Sequence, residues 1–186
     1  MADEVWLLRH AETEWSRTGK HTGRTDIPLT DKGREVARAL RARVEGHSFA
    51  LVLCSPLARA RETAQLAGFE PSALNDDLME WDYGEYEGLT TLEIREDRPD
   101  WFLWSDGAPG GEIPDQVAAR CRRVVAEVRA VEGKVALVAH GHILRALAAC
   151  WIDAPIDLGG RLHLGTGTVS VLAYEREVAV ISRWNT

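Results

Sequence analysis

Lys134-Val135-Ala136-Leu137-Val138-Ala139, followed by His140-Gly141-His142 and then by Ile143 to Trp151, is the stretch from which the fold is read. Its first part is a short, nearly continuous apolar run. A run of that length without alternation predicts a strand buried on both faces. The residues from Ile143 to Trp151 predict a helix directly behind it. The same order recurs upstream. Glu4-Val5-Trp6-Leu7-Leu8-Arg9 predicts a buried strand, followed by a polar, glycine-punctuated loop from about Ala11 to Leu29. Thr30 is placed to cap the next helix, with Asp31 in its first turn and Val36, Leu40 and Val44 as its buried stripe. Ala50 to Cys54 predicts another buried strand, and Leu57 to Leu66 the helix after it. A further helix starts near Pro114, with Val117, Cys121, Val124, Val128 and Val131 facing inward. Thr168 to Tyr174 and Val178 to Trp184 predict two strands joined by a tight turn at Glu175-Arg176-Glu177, a hairpin near one edge. Alternating strands and helices with apolar strands predict one domain over residues 1–186. It is an α/β three-layer sandwich with a mostly parallel central sheet and an antiparallel edge. Ligands in such sheets bind at the carboxyl ends of the strands.

The bulk numbers agree with an ordinary globular chain: 186 residues, 45% hydrophobic and 27% charged. A formal net charge of -7 argues against nucleic acid as a partner, because such a binder needs a basic face. It leaves a small anion open, since a few focused cations can attract one on an acidic protein. The amino-terminal MADEVWLLRHAE is too short and acidic for a signal peptide, and no apolar run approaches membrane-spanning length. Cys54, Cys121 and Cys150 are odd in number and set in apolar surroundings, which predicts buried thiols in a reducing compartment. The expected address is the cytoplasm.

Arg9-His10 ends the first strand, Arg59 lies just beyond the second, and His140-Gly141-His142 ends the strand before Ile143. Parallel strands would bring these residues to one sheet edge. Alone, a histidine at a strand end is more often structural, and an arginine at a helix start more often a surface charge. Their shared placement points to chemistry. Guanidinium groups bind phosphoryl oxygens in fork geometry. A neutral imidazole is a competent nucleophile when its other nitrogen is held as a donor. A second histidine can donate to the same phosphoryl group. What such a site still needs is a general acid for the leaving alcohol.

Four blocks, in order, supply it. Leu8-Arg9-His10-Ala11-Glu12-Thr13-Glu14-Trp15 resembles the RHG signature of the histidine phosphatase (phosphoglycerate mutase-like) superfamily. Ser55 to Ala64 resembles its second motif, Leu78 to Gly88 the segment holding its acid, and Ala139-His140-Gly141-His142 its last motif. The resemblance covers nearly the whole chain. Within the family it is nearest to the broad-specificity acid phosphatases and sedoheptulose-1,7-bisphosphatase, through His10 to Ser16, His21-Thr22-Gly23, Glu80 to Gly84 and Trp104 to Gly107. It implies a phosphoglycerate mutase-like fold. It implies His10 as nucleophile, Arg9, Arg59 and His140 around the phosphoryl group, and Glu80 as acid and then base. That last role needs a proton at working pH, which implies either a rate optimum on the acid side or a raised pKa of the acid. Ser16, His21, Thr22, Gly23, Tyr83, Gly141, His142 and Arg145 are implied on the substrate side. No metal and no cofactor are implied. The expected partner is a small phosphorylated metabolite, with a sugar phosphate as the best class, and the edge hairpin leaves pairing with a second copy open.

Three departures stand out. Ala11 replaces the usual glycine, Ser16 the asparagine of the mutases, and Ile113 a serine that would cap a helix. Pro99 to Glu112, PDWFLWSDGAPGGE, contains no cation. It therefore offers nothing to hold a second anionic group, which favours hydrolysis over mutase transfer. Three rival readings stay open: a mutase of the same fold, a catalytically silent phospho-ligand binder, and a metal-dependent hydrolase using His10, His21, His140 and His142 with Asp26. The last lacks a close ligand pair. Trp101 and Trp104 are expected to cover the core, with a lid over the pocket as the alternative. His47 and His163 fall outside every motif.

Overall fold

The structure is a computed structural model and describes residues 2–186. In chain order the elements are β1 (Ala2–Arg9), α1 (Glu14–Thr18), α2 (Asp31–Ala39), α3 (Arg41–Val44), β2 (Leu51–Cys54), α4 (Ala58–Leu66), β3 (Ala73–Leu74), α5 (Thr91–Asp97), α6 (Leu103–Asp106), α7 (Pro114–Arg129), β4 (Gly133–Ala139), α8 (Gly141–Trp151), β5 (Val169–Glu175) and β6 (Val178–Arg183). The six strands form one sheet in the order β3-β2-β4-β1-β5-β6. The first four of these run parallel, while β5 and β6 form the antiparallel edge.

The unbroken apolar runs have a direct cause. Successive side chains of a strand point to opposite faces, and both faces of this sheet are covered. Val5, Leu7, Val135, Leu137 and Ala139 pack toward α7 and α8. Trp6, Leu8, Ala136, Val138 and Cys54 pack toward Leu40, Ala60 and Ala64 on the other side. The result is the expected α-β-α sandwich. The β5–β6 turn places Arg176 in the left-handed region, with φ 57°.

Short polar elements escape the periodicity reading. The loop after β1 contains α1, whose first turn is closed by a reciprocal cap between Thr13 and Ser16. Helix α5 begins with the same device, Thr90 with Glu93. At Ile113 the missing serine cap is partly made good, because the Gln116 side chain accepts the Ile113 backbone N–H at 3.0 Å.

The helix predicted through Val44 breaks at Leu40 into α2 and α3. Its inward stripe is Gly33, Ala37, Leu40 and Val44, with Val36 only half-buried. Gly33 sets this rotation. A Cβ there would lie 2.2 Å from the Glu12 carbonyl oxygen, so α2 can rest on the loop behind His10 only through a glycine. Gly→Ala in an open helix position stabilises by about 1 kcal/mol. Gly33→Ala is expected to reverse that sign and destabilise by roughly 1–3 kcal/mol, the cost of overpacking. A thermal melt checks it, and a raised Tm would show that α2 can slide freely off the Glu12 carbonyl.

Candidate active site

Because β2, β4 and β1 are parallel neighbours, their carboxyl ends carry Ser55, His140 and His10 to one edge. A cavity of about 240 Å³ opens there, with Arg9, His10, Glu80, Tyr83, His142 and Arg145 on its wall. His10 is buried, and its Nδ1 bonds to the Ala11 carbonyl at 2.8 Å. A carbonyl only accepts, so Nδ1 carries the hydrogen and Nε2 keeps the lone pair. Burial, followed by the charges of Arg59 and Arg9, pushes the His10 pKa well below its ordinary value, which keeps the imidazole neutral.

Ala11 fits without strain. Its backbone is not left-handed, its methyl packs with Leu29 and Ala37, and its N–H donates to Thr63 Oγ1 at 3.1 Å. Arg9 donates through Nη1 to the Leu164 carbonyl, and its buried Nε has no partner among the described residues. Gly141 makes room for this guanidinium, since a Cβ there would sit 3.2 Å from Arg9 Cζ.

Arg59 and His140 are fully buried behind this wall. Arg59 Nε donates to His140 Nδ1 at 3.1 Å, so His140 carries its hydrogen on Nε2 and donates to Ser55 Oγ at 2.7 Å. The remaining Arg59 donors hold the carbonyls of Thr22, Gly23 and Thr25, and Asp26 lies 3.7 Å from Nη1. The His10 and His140 rings are 5.0 Å apart, centre to centre. Burial and then the Arg59 charge push the His140 pKa well down.

Glu80 is buried at the start of α8. Its Oε1 accepts the N–H groups of Trp81 and Ile143, each at 2.9 Å, and Oε2 accepts that of His142 at 3.0 Å. The carboxylate thus takes up orphan donors at the positive end of a helix. Each oxygen has two in-plane lone pairs, so Oε2 retains one. Burial raises the Tyr83 pKa well above its ordinary value, so the phenol keeps its proton, and its oxygen lies 2.5 Å from His142 Nδ1. His21 packs against Tyr83, with its Nε2 3.3 Å from Thr91 Oγ1, and burial lowers its pKa to about 4.

Of the residues implied on the substrate side, Ser16, His21, Thr22, Tyr83, Gly141, His142 and Arg145 line the cavity. The Ser16 hydroxyl is committed to Thr13, donating to its carbonyl and accepting its N–H, both at 2.9 Å. Gly23 is not among them. It lies off the cavity wall, where a Cβ would be 2.6 Å from the Trp81 carbonyl, and its N–H donates to Glu87 Oε1 at 2.8 Å. Its part is to let the loop close over Arg59. Trp101 and Trp104 are core residues, 2% and 4% exposed, with Trp104 edge-on to Trp81.

The wall also includes Lys20 and Thr91, which no motif signalled, and the Lys20 cation comes from a loop distant from Pro99–Glu112. Among the described residues no group of three or more His, Cys, Asp or Glu side chains is arranged to hold a metal ion, and Asp26 accepts the Ala58 N–H instead. No described helix is long and apolar enough to cross a membrane.

Comparison with known proteins agrees with this arrangement. The sequence profile of the histidine phosphatase superfamily (branch 1) matches residues 5–186. An acid phosphatase of Mycobacterium tuberculosis is 42% identical, over 94% of this chain and 90% of its own. Sedoheptulose 1,7-bisphosphatase of Saccharomyces cerevisiae is 34% identical, over 81% of this chain and 68% of its own. Among solved structures, an open reading frame product of Mycobacterium tuberculosis superposes with a TM-score of 0.93 at 38% identity, covering 98% and 97% of the two chains. Mycobacterial glucosyl-3-phosphoglycerate phosphatase superposes with a TM-score of 0.87 at 29% identity, covering 99% of each. With its signature residues gathered at the carboxyl ends of parallel strands and the profile matched almost end to end, this chain belongs to the histidine phosphatase superfamily.

Proposed function

We propose that the protein is a metal-independent phosphomonoesterase that hydrolyses a small phosphometabolite, a sugar phosphate as the best class, through phosphohistidine at His10. One observation carries this: a neutral, oriented imidazole, Nδ1–H anchored on the Ala11 carbonyl, on a cavity wall shared with Arg9 and Glu80. Phosphatase activity is further supported by the names of the relatives.

In the first half-reaction the Nε2 lone pair forms the N–P bond. The ester P–O bond breaks, and Glu80 gives its proton to the leaving oxygen. In the second, water attacks phosphorus, Glu80 takes up its proton, and the N–P bond breaks to release inorganic phosphate and neutral His10. Arg9 faces the phosphoryl oxygens, and Arg59 adds fixed positive charge behind His10. Because burial and the neighbouring arginines keep His10 neutral in mild acid, the nucleophile stays available on the acid side.

The direct test is release of inorganic phosphate from para-nitrophenyl phosphate and a panel of sugar phosphates, in EDTA, from acid to neutral pH. Turnover under chelation is expected. An isomerised phosphoester in place of inorganic phosphate would establish the mutase reading, and no reaction with any substrate the silent binder.

Glu80 has its own signature. Glu80→Gln keeps acceptor and shape at one oxygen but carries no acid proton. Its kcat on an alkyl or sugar phosphate is expected to fall about 10²–10⁴-fold, the usual worth of a general acid. On para-nitrophenyl phosphate, whose phenolate leaves without a proton, the loss should be far smaller. Equal losses on both substrates would mean that Glu80 acts only by capping α8.

A further inference from the structure

Glu80 needs a fixed main chain as well as a fixed carboxylate. Residues 79–83 lie in no helix or strand, so no regular ladder of main-chain bonds holds them. A buried ion pair from later in the chain does so instead. Arg120 of α7 donates through Nη1 to the carbonyls of Asp77 and Met79, at 2.8 and 2.6 Å. Its Nε and Nη2 donate to the two carboxylate oxygens of Glu112, at 2.8 and 2.9 Å. Four of the five guanidinium N–H donors are thus engaged. Glu112 closes the other side. Its Oε2 accepts the Asp82 N–H, its carbonyl accepts the Trp81 indole N–H, and its own N–H donates to the Asp82 carbonyl, each at 2.9 Å. The residues on both sides of Glu80 are therefore tied to one pair.

Neither side chain of the pair reaches the cavity, and they are only 6% and 16% exposed. Taking two charges out of water is costly, and well-packed apolar side chains in their place often give equal or greater stability. Apolar side chains could not, however, grip two carbonyls and a carboxylate in one rigid fork. The arrangement suits position more than stability. Position matters at Glu80, because its proton has to meet the leaving oxygen, and a misplacement of about 1 Å can cost about 10²-fold. The N–H groups of Trp81, His142 and Ile143 set the direction of the carboxylate. Arg120 and Glu112 set where its main chain stands.

Resting on the phosphatase reading with Glu80 as acid, we propose that Arg120 and Glu112 are positioning residues for that acid. They touch no substrate and act through the main chain on either side of Glu80.

The test compares glycerol 1-phosphate, whose alkoxide needs a proton to leave, with para-nitrophenyl phosphate, whose phenolate does not. Arg120→Gln and Glu112→Gln are each expected to lower kcat on glycerol 1-phosphate about 10–100-fold, and kcat on para-nitrophenyl phosphate less than about threefold. KM for both substrates should stay near wild type, since neither residue reaches the cavity. Arg120→Lys, which keeps a cation for the carbonyls, should recover part of the loss. In a Glu80→Gln background the same substitutions should add little, because a residue that acts through Glu80 then has nothing to act on. Each variant is assayed below its own Tm. If Arg120→Gln fails to fold, Glu112→Gln, which leaves both carbonyl bonds of Arg120 in place, still decides. Equal losses on the two substrates, undiminished losses in the Glu80→Gln background, or wild-type kcat on both substrates overturn the positioning role. Failure of wild type to hydrolyse para-nitrophenyl phosphate would instead overturn the phosphatase reading itself.

Discussion

His10→Ala is expected to lose phosphate release by at least about 10⁴-fold on every substrate, with no phosphoenzyme detectable after rapid quenching of labelled substrate at alkaline pH. The size follows from the mechanism. Removing a nucleophile removes the whole two-step route, leaving only the site's electrostatics to assist direct attack by water. The fold should tolerate the change, since the side chain makes a single hydrogen bond, to the neighbouring Ala11 carbonyl. A melt with Tm within a few degrees of wild type separates lost chemistry from lost structure. Turnover within tenfold of wild type would show that His10 is not the nucleophile. Full loss of turnover with wild-type phosphoenzyme labelling would place the label on another residue.

The second large effect is on stability. His10, His140 and His142 are each held well below the ordinary imidazole pKa, chiefly by burial and then by neighbouring arginine charge, and burial brings His21 to about 4. In the unfolded chain all four titrate near 6.5. Above that pH neither state binds the extra protons and the folded state keeps its full stability. As pH falls through 6.5 the unfolded chain takes up protons that the folded one refuses, and stability drops. Each such group contributes about 1.4 kcal/mol per pH unit, and four together up to roughly 5 kcal/mol per unit. For His21 the folded state begins to take its proton near pH 4, which limits its share to about 3 kcal/mol. Against a total stability of about 5–15 kcal/mol, acid unfolding with a midpoint above pH 4 is expected. Tryptophan fluorescence against pH reads it directly, because Trp81, Trp101 and Trp104 are buried beside the site. His21→Gln should move the midpoint to lower pH. A Tm that does not change between pH 7 and pH 5 would mean that these imidazoles are protonated in the folded protein. Any acid-side rate optimum is then cut off from below by unfolding, not by protonation of the nucleophile.

Sequence and tertiary structure act over different ranges. The buried strands Glu4–Arg9, Ala50–Cys54 and Lys134–Ala139 were legible because a strand covered on both faces has to be apolar at every position, whatever covers it. The helices at Thr30, Leu57, Pro114 and Ile143 were legible from caps and stripes, which are local chemistry. Helices α1, α5 and α6 were not, because each is too short to show a period, and the rotation of α2 follows from Gly33 meeting the Glu12 carbonyl, a contact between separate segments.

In the site, the identity of His10, Arg9, Arg59, Glu80 and His140 was written in motifs of adjacent residues. Their burial, tautomers and partners depend on groups brought together by folding. Arg59 reaches the 22–25 carbonyls, His140 reaches Ser55, and Glu80 caps a helix that begins 61 residues later. Lys20 gave no signal, since its place on the cavity wall is set by residues far from it in the chain. By itself the sequence determined the layered fold and the kind of chemistry, because both rest on residue type and local spacing. Only the tertiary structure decided which nitrogen of His10 is free and which residues share its cavity, because hydrogen bonds and packing act through space between segments that the chain keeps far apart.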